Sequence, residues 1–222
     1  MTTRKSRRLG RPPDTSSAET RQRIIDVARA RFANLGYQAA TNKDIAETAG
    51  ITTGAIYHYF GSKQALYLAV FDEVERHVFG RLRQVEQEET TFVSKISRVL
   101  LEAVEINRED PSIAAFFVDV PTESQRNPEL ATLTRQQGVD SLSFFSELVA
   151  GGRRTGEIAA DVNERHLVFA LMAITSGIAK LSTGLRDSAM HEAMTLVINR
   201  MIAGNLLSAK RATRARGAAS GS

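Results

Sequence analysis

The sequence predicts an all-α protein, and three observations carry that prediction. Apolar residues recur every three or four positions through most of the chain, which is the spacing that places them on one face of a helix. Residues that can cap a helix precede several of these segments, and glycine or proline follows several of them. No segment keeps the alternation of apolar and polar residues that a half-buried strand requires. We therefore expect helices joined by turns.

The first predicted helix runs from Ser16 to Gly36. Ser16 and Glu19 have the spacing of a capping box, in which the two side chains satisfy amides at the start of a helix. The apolar face of this helix consists of Ile24, Ala28, Phe32 and Leu35. Gly36 can adopt the conformation that closes many helices, so we expect the helix to end there.

A second helix is predicted from Thr41 to Gly50. Thr41 can cap its first turn, and Asp44 places a carboxylate near the positive end of the helix dipole. One face of this helix carries Ile45, Ala46 and Ala49. Gly50 suits the left-handed closing residue, so the chain is expected to turn at Gly50 and Ile51.

A third helix is predicted after Thr52, which can cap it, with Ile56 and Phe60 facing inward. Its outward residues are then Thr53, Gly54, Ala55, Tyr57 and His58. Small residues at the start let the backbone enter the major groove, and the hydrogen-bonding side chains that follow can reach bases or phosphates. Ser62 can cap the next helix, which places Lys63 where a phosphate can bind. This helix-turn-helix pattern predicts DNA binding.

Residues 41 to 66 resemble the DNA-binding domain of the TetR family of transcriptional regulators. The resemblance lies in the Asp-Ile-Ala, glycine, Ala-Ile-Tyr-His-Tyr-Phe and Ser-Lys-Gln-Ala-Leu elements of this stretch. It implies base or groove contact from Thr52, Thr53, Gly54, Ala55 and His58, and phosphate contact from Thr41, Tyr57 and Lys63. It also implies that the remaining helical domain binds a small, often apolar molecule. The resemblance is close over residues 18 to 66, and beyond them it extends only to length and helical layout.

Residues 1 to 15 are predicted to be a basic, flexible arm. Residues 1 to 11 contain five basic side chains and no acidic one. Gly10, Arg11 and Pro12 resemble the core of an AT-hook, in which arginine enters a narrow minor groove. Arg11 is therefore a candidate for minor-groove contact, and the alternative is a tail that only adds solubility.

The balance of charge changes along the chain. Residues 20 to 66 hold six basic and three acidic side chains, whereas residues 67 to 209 hold 14 basic and 20 acidic ones. The larger part would be repelled by a phosphate backbone, so DNA binding is expected at one end. Residues 209 to 222 form a second basic tail in a Gly/Ala/Ser background, and we expect it to be disordered.

Residues 16 to 66 are thus predicted to be the DNA-binding domain, and residues 67 to 208 a helical ligand-binding and dimerisation domain. A long helix from Ser62 to Val85 is expected to connect them. The later predicted helices cover residues 92–107, 112–118, 128–149, 163–181 and 188–207. The predicted breaks between them are Asp110-Pro111, Pro121, Gly151-Gly152 and Gly184.

The last two predicted helices carry long apolar stripes. The stripes consist of Leu167, Leu171, Ile174, Ile178 and Leu181, and of Met190, Met194, Val197, Met201 and Ile202. They suit a four-helix bundle formed with a second copy of the chain, because half-site recognition on DNA usually needs two heads. The alternative is that both stripes face inward within one chain.

A group of large apolar residues is a candidate for a ligand cavity. It consists of Phe116, Phe117, Phe144, Phe145, Phe169 and Met172. Aromatic residues line many small-molecule sites, but ordinary core packing explains any one of these residues equally well. A partly apolar effector is what the resemblance to the TetR family implies for this domain, and the residues themselves do not identify it.

Other classes of function find little support in the sequence. The chain has no cysteine, which excludes disulfides and thiolate metal sites and is compatible with a cytoplasmic protein. Its four histidines lack the spacing of a metal site, no catalytic motif is present, and no cofactor is expected. No uninterrupted apolar run is long enough to predict a membrane span.

The sequence therefore predicts a homodimeric transcriptional regulator, and the family resemblance implies a repressor that a small molecule releases from its double-stranded DNA operator. The alternative is an architectural protein whose head binds DNA while its helical part docks another protein. An exposed flat apolar surface would favour docking, and a cavity lined by aromatic residues would favour ligand sensing.

Overall fold

The computed structural model describes residues 17–137, 139–185, 187–204 and 206, and within these ranges every regular element is a helix. The ten helices of the described residues are α1 Ser17–Ala39, α2 Asn42–Ala49, α3 Thr53–Phe60, α4 Lys63–Gln87, α5 Phe92–Glu109, α6 Pro111–Arg126, α7 Pro128–Gln137, α8 Val139–Arg154, α9 Glu164–Leu185 and α10 Ser188–Ile202. The prediction of an all-α fold is confirmed.

The chain divides into two compact units, and the division falls inside α4, between Glu73 and Val74. We call residues 1–73 the head and residues 74–222 the body. The sequence motif places the end of the DNA-binding domain at residue 66, so the head also includes the next two turns of α4. The predicted basic arm, the Ser16 half of the capping box and the whole predicted C-terminal tail lie outside the described residues.

The head is a small helical unit in which α1 packs on α2 and α2 packs on α3. Its core consists of Ile24, Ile25, Ala28, Phe32, Ala40, Ile45, Ala46, Ala49, Ile56, Leu66, Tyr67, Val70 and Phe71. The predicted end of the first helix at Gly36 corresponds to a kink, because Gly36 has φ 77° and ψ 166° and one further turn then reaches Ala39. Only glycine adopts such a positive φ without strain.

The body is a bundle in which α9 packs against α6, α8 and α10, while α5 packs against α6, α8 and α10. By length and composition α9 is the one helix of the described residues that could cross a membrane, and a core helix of a globular protein passes the same test. It packs on three other helices of the body, as a helix in a bundle does.

Ion pairs join the first and second helices of the body. Arg81 of α4 donates from Nε to Glu102 Oε1 at 2.7 Å and from Nη2 to Glu109 Oε1 at 3.1 Å. The hydrogen bond from Arg81 also lowers the pKa of Glu109 below its ordinary value. Glu86 of α4 pairs with Lys95 of α5 in the same way. Because Glu102 is buried, its ion pairs with Arg81 and Arg98 offset the cost of desolvating its charge.

Pro121 does not end a helix, so this predicted break is wrong. Helix α6 runs from Pro111 to Arg126 and contains Pro121. Proline removes one backbone hydrogen bond, but the buried face of α6 continues across it through Phe116, Val120 and Glu123. The burial of residues on both sides of Pro121 outweighs the lost bond.

The helix predicted over residues 128–149 corresponds to α7 and α8, and Gly138, the one residue between them, lies outside the described residues. The helix break predicted at Gly151 and Gly152 is wrong, since both residues lie inside α8. Gly184 likewise lies inside α9, which ends one residue later at Leu185.

The reason for glycine at position 152 is close packing. A Cβ atom there would lie 2.7 Å from Cδ2 of Phe92 and 2.9 Å from Cδ1 of Ile158, which is well inside van der Waals contact. Position 80 in α4 is the opposite case, because a Cβ atom there would meet nothing within 4 Å. The two glycines therefore form a matched pair for a stability experiment.

We expect Gly152→Ala to lower the free energy of unfolding of the body by about 1–3 kcal/mol, because the added methyl group overpacks the contact of α8 with α5. Gly80→Ala should raise it by about 0.5–1 kcal/mol, since alanine has the higher helix propensity. Urea denaturation followed by circular dichroism measures both effects. Equal changes in the free energy of unfolding of both variants would show that close packing at Gly152 does not affect stability.

Candidate nucleic-acid interface

Both ends of α2 are fixed by the residues that the sequence indicated. The hydroxyl of Thr41 accepts a hydrogen bond of 3.1 Å from the amide of Asp44. At the other end Gly50 has φ 67° and ψ 34°, and its amide bonds to carbonyls of the last turn. The left-handed residue closes α2 and turns the chain toward α3.

Arg31 fastens α2 to α1, a role that sequence reasoning missed. Its Nη2 atom donates to the Thr48 hydroxyl at 2.7 Å and lies 3.1 Å from Oδ1 of Asp44. Thr48 in turn donates to the main-chain carbonyl of Asp44 at 2.9 Å. No local spacing could have indicated this pair, because Arg31 and Asp44 belong to different helices.

Helix α3 is capped by Thr52, whose hydroxyl accepts a hydrogen bond of 3.2 Å from the amide of Ala55. Ile56 is completely buried, and it anchors α3 on the head. Phe60, the second residue predicted to face inward, is half-buried. Gly61, with φ 76°, ends the helix, and its amide bonds to the carbonyl of Tyr57.

The opposite face of α3 is open. Of the residues that the family resemblance implies for DNA contact, Thr41, Thr52, Gly54, Tyr57 and His58 are exposed, while Thr53, Ala55 and Lys63 are half-buried. Helix α3 contains no acidic residue, so nothing on this helix would repel a phosphate. Position 54 does not need glycine for packing, because a Cβ atom there would meet only the Thr52 hydroxyl, at 3.8 Å. Its lack of a side chain leaves the backbone open to a close approach.

The far end of α3 contacts the start of α1. Ser17 Oγ donates to the hydroxyl of Tyr59 at 3.4 Å, and the guanidinium of Arg21 lies 5.2 Å from the centre of the Phe60 ring. These contacts hold Ser17 beside the end of the helix predicted to read DNA. Arg11, the candidate for minor-groove contact, lies outside the described residues, six positions before Ser17.

Helix α4 begins with the predicted cap, since the Ser62 hydroxyl accepts a hydrogen bond of 3.0 Å from the amide of Ala65. The Lys63 ammonium donates to the main-chain carbonyl of Gln38 at 3.1 Å. It also lies 4.6 Å from the centre of the Tyr37 ring. Lys63 is therefore held in place within the head.

In the body, the six residues predicted for a ligand cavity do not share one environment. Phe116, Phe144 and Phe145 are buried, and Phe117 and Met172 are half-buried, whereas Phe169 is 49% exposed. The rings of Phe117 and Phe144 pack against Phe79, with centroids 6.0 Å and 5.7 Å away. The burial of Phe116, Phe144 and Phe145 agrees with the core packing that the sequence also allowed, and ligand contact by this group stays a prediction. Phe79 was missed because it lies on the long helix predicted only to connect the domains.

An open cleft of about 520 Å³ lies between α8 and α9. Its lining consists of Leu142, Ser146, Val149, Glu164, Arg165, Val168 and Phe169. Phe169 is thus the only one of the six predicted residues that this cleft contains. The Arg165 guanidinium lies 5.8 Å from the centre of the Phe169 ring, so the cleft combines an apolar wall with a cation.

Comparison with known proteins gives a family match over the head. Residues 24–70 match the family model described as bacterial regulatory proteins, tetR family. The transcriptional regulator UidR of Escherichia coli strain K12 is 26% identical over 164 residues, which are 74% of this chain and 82% of UidR. The transcriptional repressor AcnR of Corynebacterium efficiens is 29% identical over 183 residues, which are 80% of this chain and 90% of AcnR.

A solved structure shares the fold. The transcriptional regulator FadR from Bacillus subtilis, in complex with stearoyl-CoA, has a TM-score of 0.73 at 20% identity, and the match covers 84% of this chain and 99% of FadR. The likeness therefore extends beyond the head to the arrangement of the body helices.

Proposed function

Because the chain belongs to the TetR family and is a DNA-binding transcriptional regulator, we propose that it is a homodimeric repressor released from its operator by a small molecule. The observation that carries the proposal is the exposed face of α3. The buried Ile56 anchors this helix on the head, and the helix has no acidic side chain. Repression is supported by relatives such as AcnR, which is named a transcriptional repressor.

The head has the shape that groove recognition needs. We assign base and groove contact to Thr52, Thr53, Gly54, Ala55 and His58, and phosphate contact to Thr41, Tyr57 and Lys63. Exposure of α3 and the small residues of its first turn support the assignment. Arg11 would extend the contact into the neighbouring minor groove, because the chain enters α1 beside the end of α3.

The partner of the body is a second copy of the same chain, bound through α9 and α10. A set of large apolar residues on these two helices is exposed in the single chain, and it consists of Leu181, Leu185, Met190, Leu196, Val197 and Met201. Exposed apolar surface on neighbouring helices is typical of an interface. Two heads in one assembly would contact successive major grooves about 34–36 Å apart.

The effector would bind the body in the cleft between α8 and α9, with Phe169 as the contact from the predicted set. The lining of the cleft combines apolar side chains with the charged Arg165 and Glu164, which suits a partly apolar molecule. The FadR complex with stearoyl-CoA supports this chemistry, since the two proteins share a fold. Release requires that the effector bind the DNA-free state more tightly than the DNA-bound state.

Selection of DNA fragments by the purified protein tests the regulatory proposal. We expect enrichment of a site with two related halves separated by about one helical turn, and binding to the DNA that flanks the protein's own gene. Absence of any sequence preference at moderate salt would contradict the proposal.

Stearoyl-CoA is the first molecule to test as an effector that releases the protein from DNA. Phe169→Asp is expected to reduce this release by stearoyl-CoA while leaving the affinity for DNA unchanged.

Two substitutions in the head separate base contact from phosphate contact. Thr53→Ala should change the preference at one base pair by about 1 kcal/mol, because it removes a hydroxyl at the start of α3. Lys63→Ala should weaken binding to all sequences alike and lower the salt dependence by about one counterion per head. Fluorescence anisotropy with the selected site and single-base variants measures both. The same sequence-independent loss from both variants would contradict these roles.

A further inference from the structure

Tyr37 lies next to the kink of α1 and is not among the residues that we assign to DNA contact. Its ring meets the ring of Tyr67 edge-on, with centroids 5.2 Å apart and planes at 80°. It also lies 6.0 Å from the ring of Phe32, which itself packs 5.1 Å from Tyr67. Phe32 and Tyr67 are both buried in the head core, so two fixed rings hold the orientation of Tyr37.

Lys63 lies over the ring of Tyr37. The Lys63 ammonium lies 4.6 Å from the Tyr37 ring centre and donates to the Gln38 carbonyl at 3.1 Å. Gln38 belongs to the last turn of α1, where carbonyl groups have no partner within the helix. Lys63 thus contacts the negative end of α1 while its own backbone starts α4.

From this geometry we propose that Tyr37 is a positioning residue for DNA binding, which acts by holding the Lys63 ammonium at the start of α4 for contact with a DNA phosphate. The proposal rests on the function proposed above. An unrestrained lysine loses side-chain entropy when it contacts a phosphate. A lysine already held by a ring and a carbonyl loses less of it on binding, so the contact contributes more to affinity.

A ring face and a carbonyl oxygen are suitable for this role because they attract an ammonium without neutralising its charge. A carboxylate at the same place would cancel the charge that attracts the phosphate. Tyr37 and Gln38 directly follow the kink at Gly36, and Lys63 contacts the ring of the first and the carbonyl of the second.

The test is a salt series of operator binding for the full chain and four variants: Tyr37→Leu, Tyr37→Phe, Lys63→Ala and the double variant of Tyr37→Leu with Lys63→Ala. We expect Tyr37→Leu to weaken binding about two- to fivefold and to shift the salt dependence toward that of Lys63→Ala. The double variant should bind no more weakly than Lys63→Ala alone, because Tyr37 acts through Lys63. Tyr37→Phe keeps the ring and should bind DNA as tightly as the wild type does.

A purely structural role of Tyr37 would lower the melting temperature of the head without changing the salt dependence, and that result would overturn the proposal. Independent losses that add in the double variant would overturn it as well. If Tyr37→Leu does not fold, pentafluorophenylalanine at position 37 keeps the size of the ring but reverses the charge of its face, and it should reproduce the weakened, less salt-dependent binding. Absence of sequence-selective binding by the wild-type chain would instead contradict the proposed function itself.

Discussion

Ile56→Asp is expected to unfold the head and to abolish operator binding. Ile56 is completely buried on α3 and belongs to the same core as Ile45 and Ala46 of α2. The substitution removes about 1.5–3 kcal/mol of hydrophobic burial and places an unpaired carboxylate in an apolar site, which costs several kcal/mol more. A unit of this size has only a few kcal/mol of stability in total, so the change exceeds what the head can tolerate.

The matched control for this experiment is Tyr57→Asp, at the next position of α3. Tyr57 is 52% exposed, so an aspartate there stays in water and the head should keep its helical content. DNA binding should nevertheless weaken, because a negative charge now faces the phosphates. Circular dichroism and anisotropy on both variants separate loss of fold from loss of contact. A folded, DNA-binding Ile56→Asp variant would contradict the proposed arrangement of α3.

Val197→Glu combined with Met201→Glu on α10 is expected to convert a dimer into monomers and to weaken operator binding by about 100-fold or more. The two side chains are 48% and 53% exposed in the single chain, so the substitutions need not disturb the body. In the proposed dimer, four carboxylates would be brought together without partners. Affinity falls because two linked heads bind far more tightly than two separate ones.

Val93→Glu on α5 is the control for this change, since Val93 is also an exposed apolar residue, at 39%, but lies outside α9 and α10. Its oligomeric state and its affinity should match those of the wild type. Analytical ultracentrifugation gives the mass of each variant, and anisotropy gives the affinity. A wild-type chain that is monomeric in solution, or a double variant that remains dimeric, would show that α9 and α10 do not form the interface.

These predictions depend on different levels of the structure. The Ile56 experiment tests the packing of the head. The sequence alone predicted this packing, because an isoleucine on the apolar face of a short capped helix is expected to be buried. The α10 experiment tests an interface between copies. The sequence indicated apolar stripes there, but only the fold shows which of their members stay exposed after the body has packed.

The same distinction applies to the aromatic residues of the body. Phe116, Phe144, Phe145 and Phe169 are the same residue type on amphipathic helices, yet three are buried and Phe169 is half exposed at a cleft. Residue type reports hydrophobicity but not the direction from which a neighbouring helix approaches. The cleft between α8 and α9 therefore could not be found from composition or periodicity.

What the sequence by itself determined is the local structure of the head: the caps at Thr41, Thr52 and Ser62 and the left-handed turn at Gly50. Each of these features involves residues within four positions of one another, so the chain encodes them without reference to the rest of the fold. Tertiary structure alone decided the contacts between distant residues. Arg31 pairs with Asp44, the Lys63 ammonium lies over the Tyr37 ring, and Phe92 packs closely against Gly152. Helix packing brings these residues together, and no sequence spacing relates them.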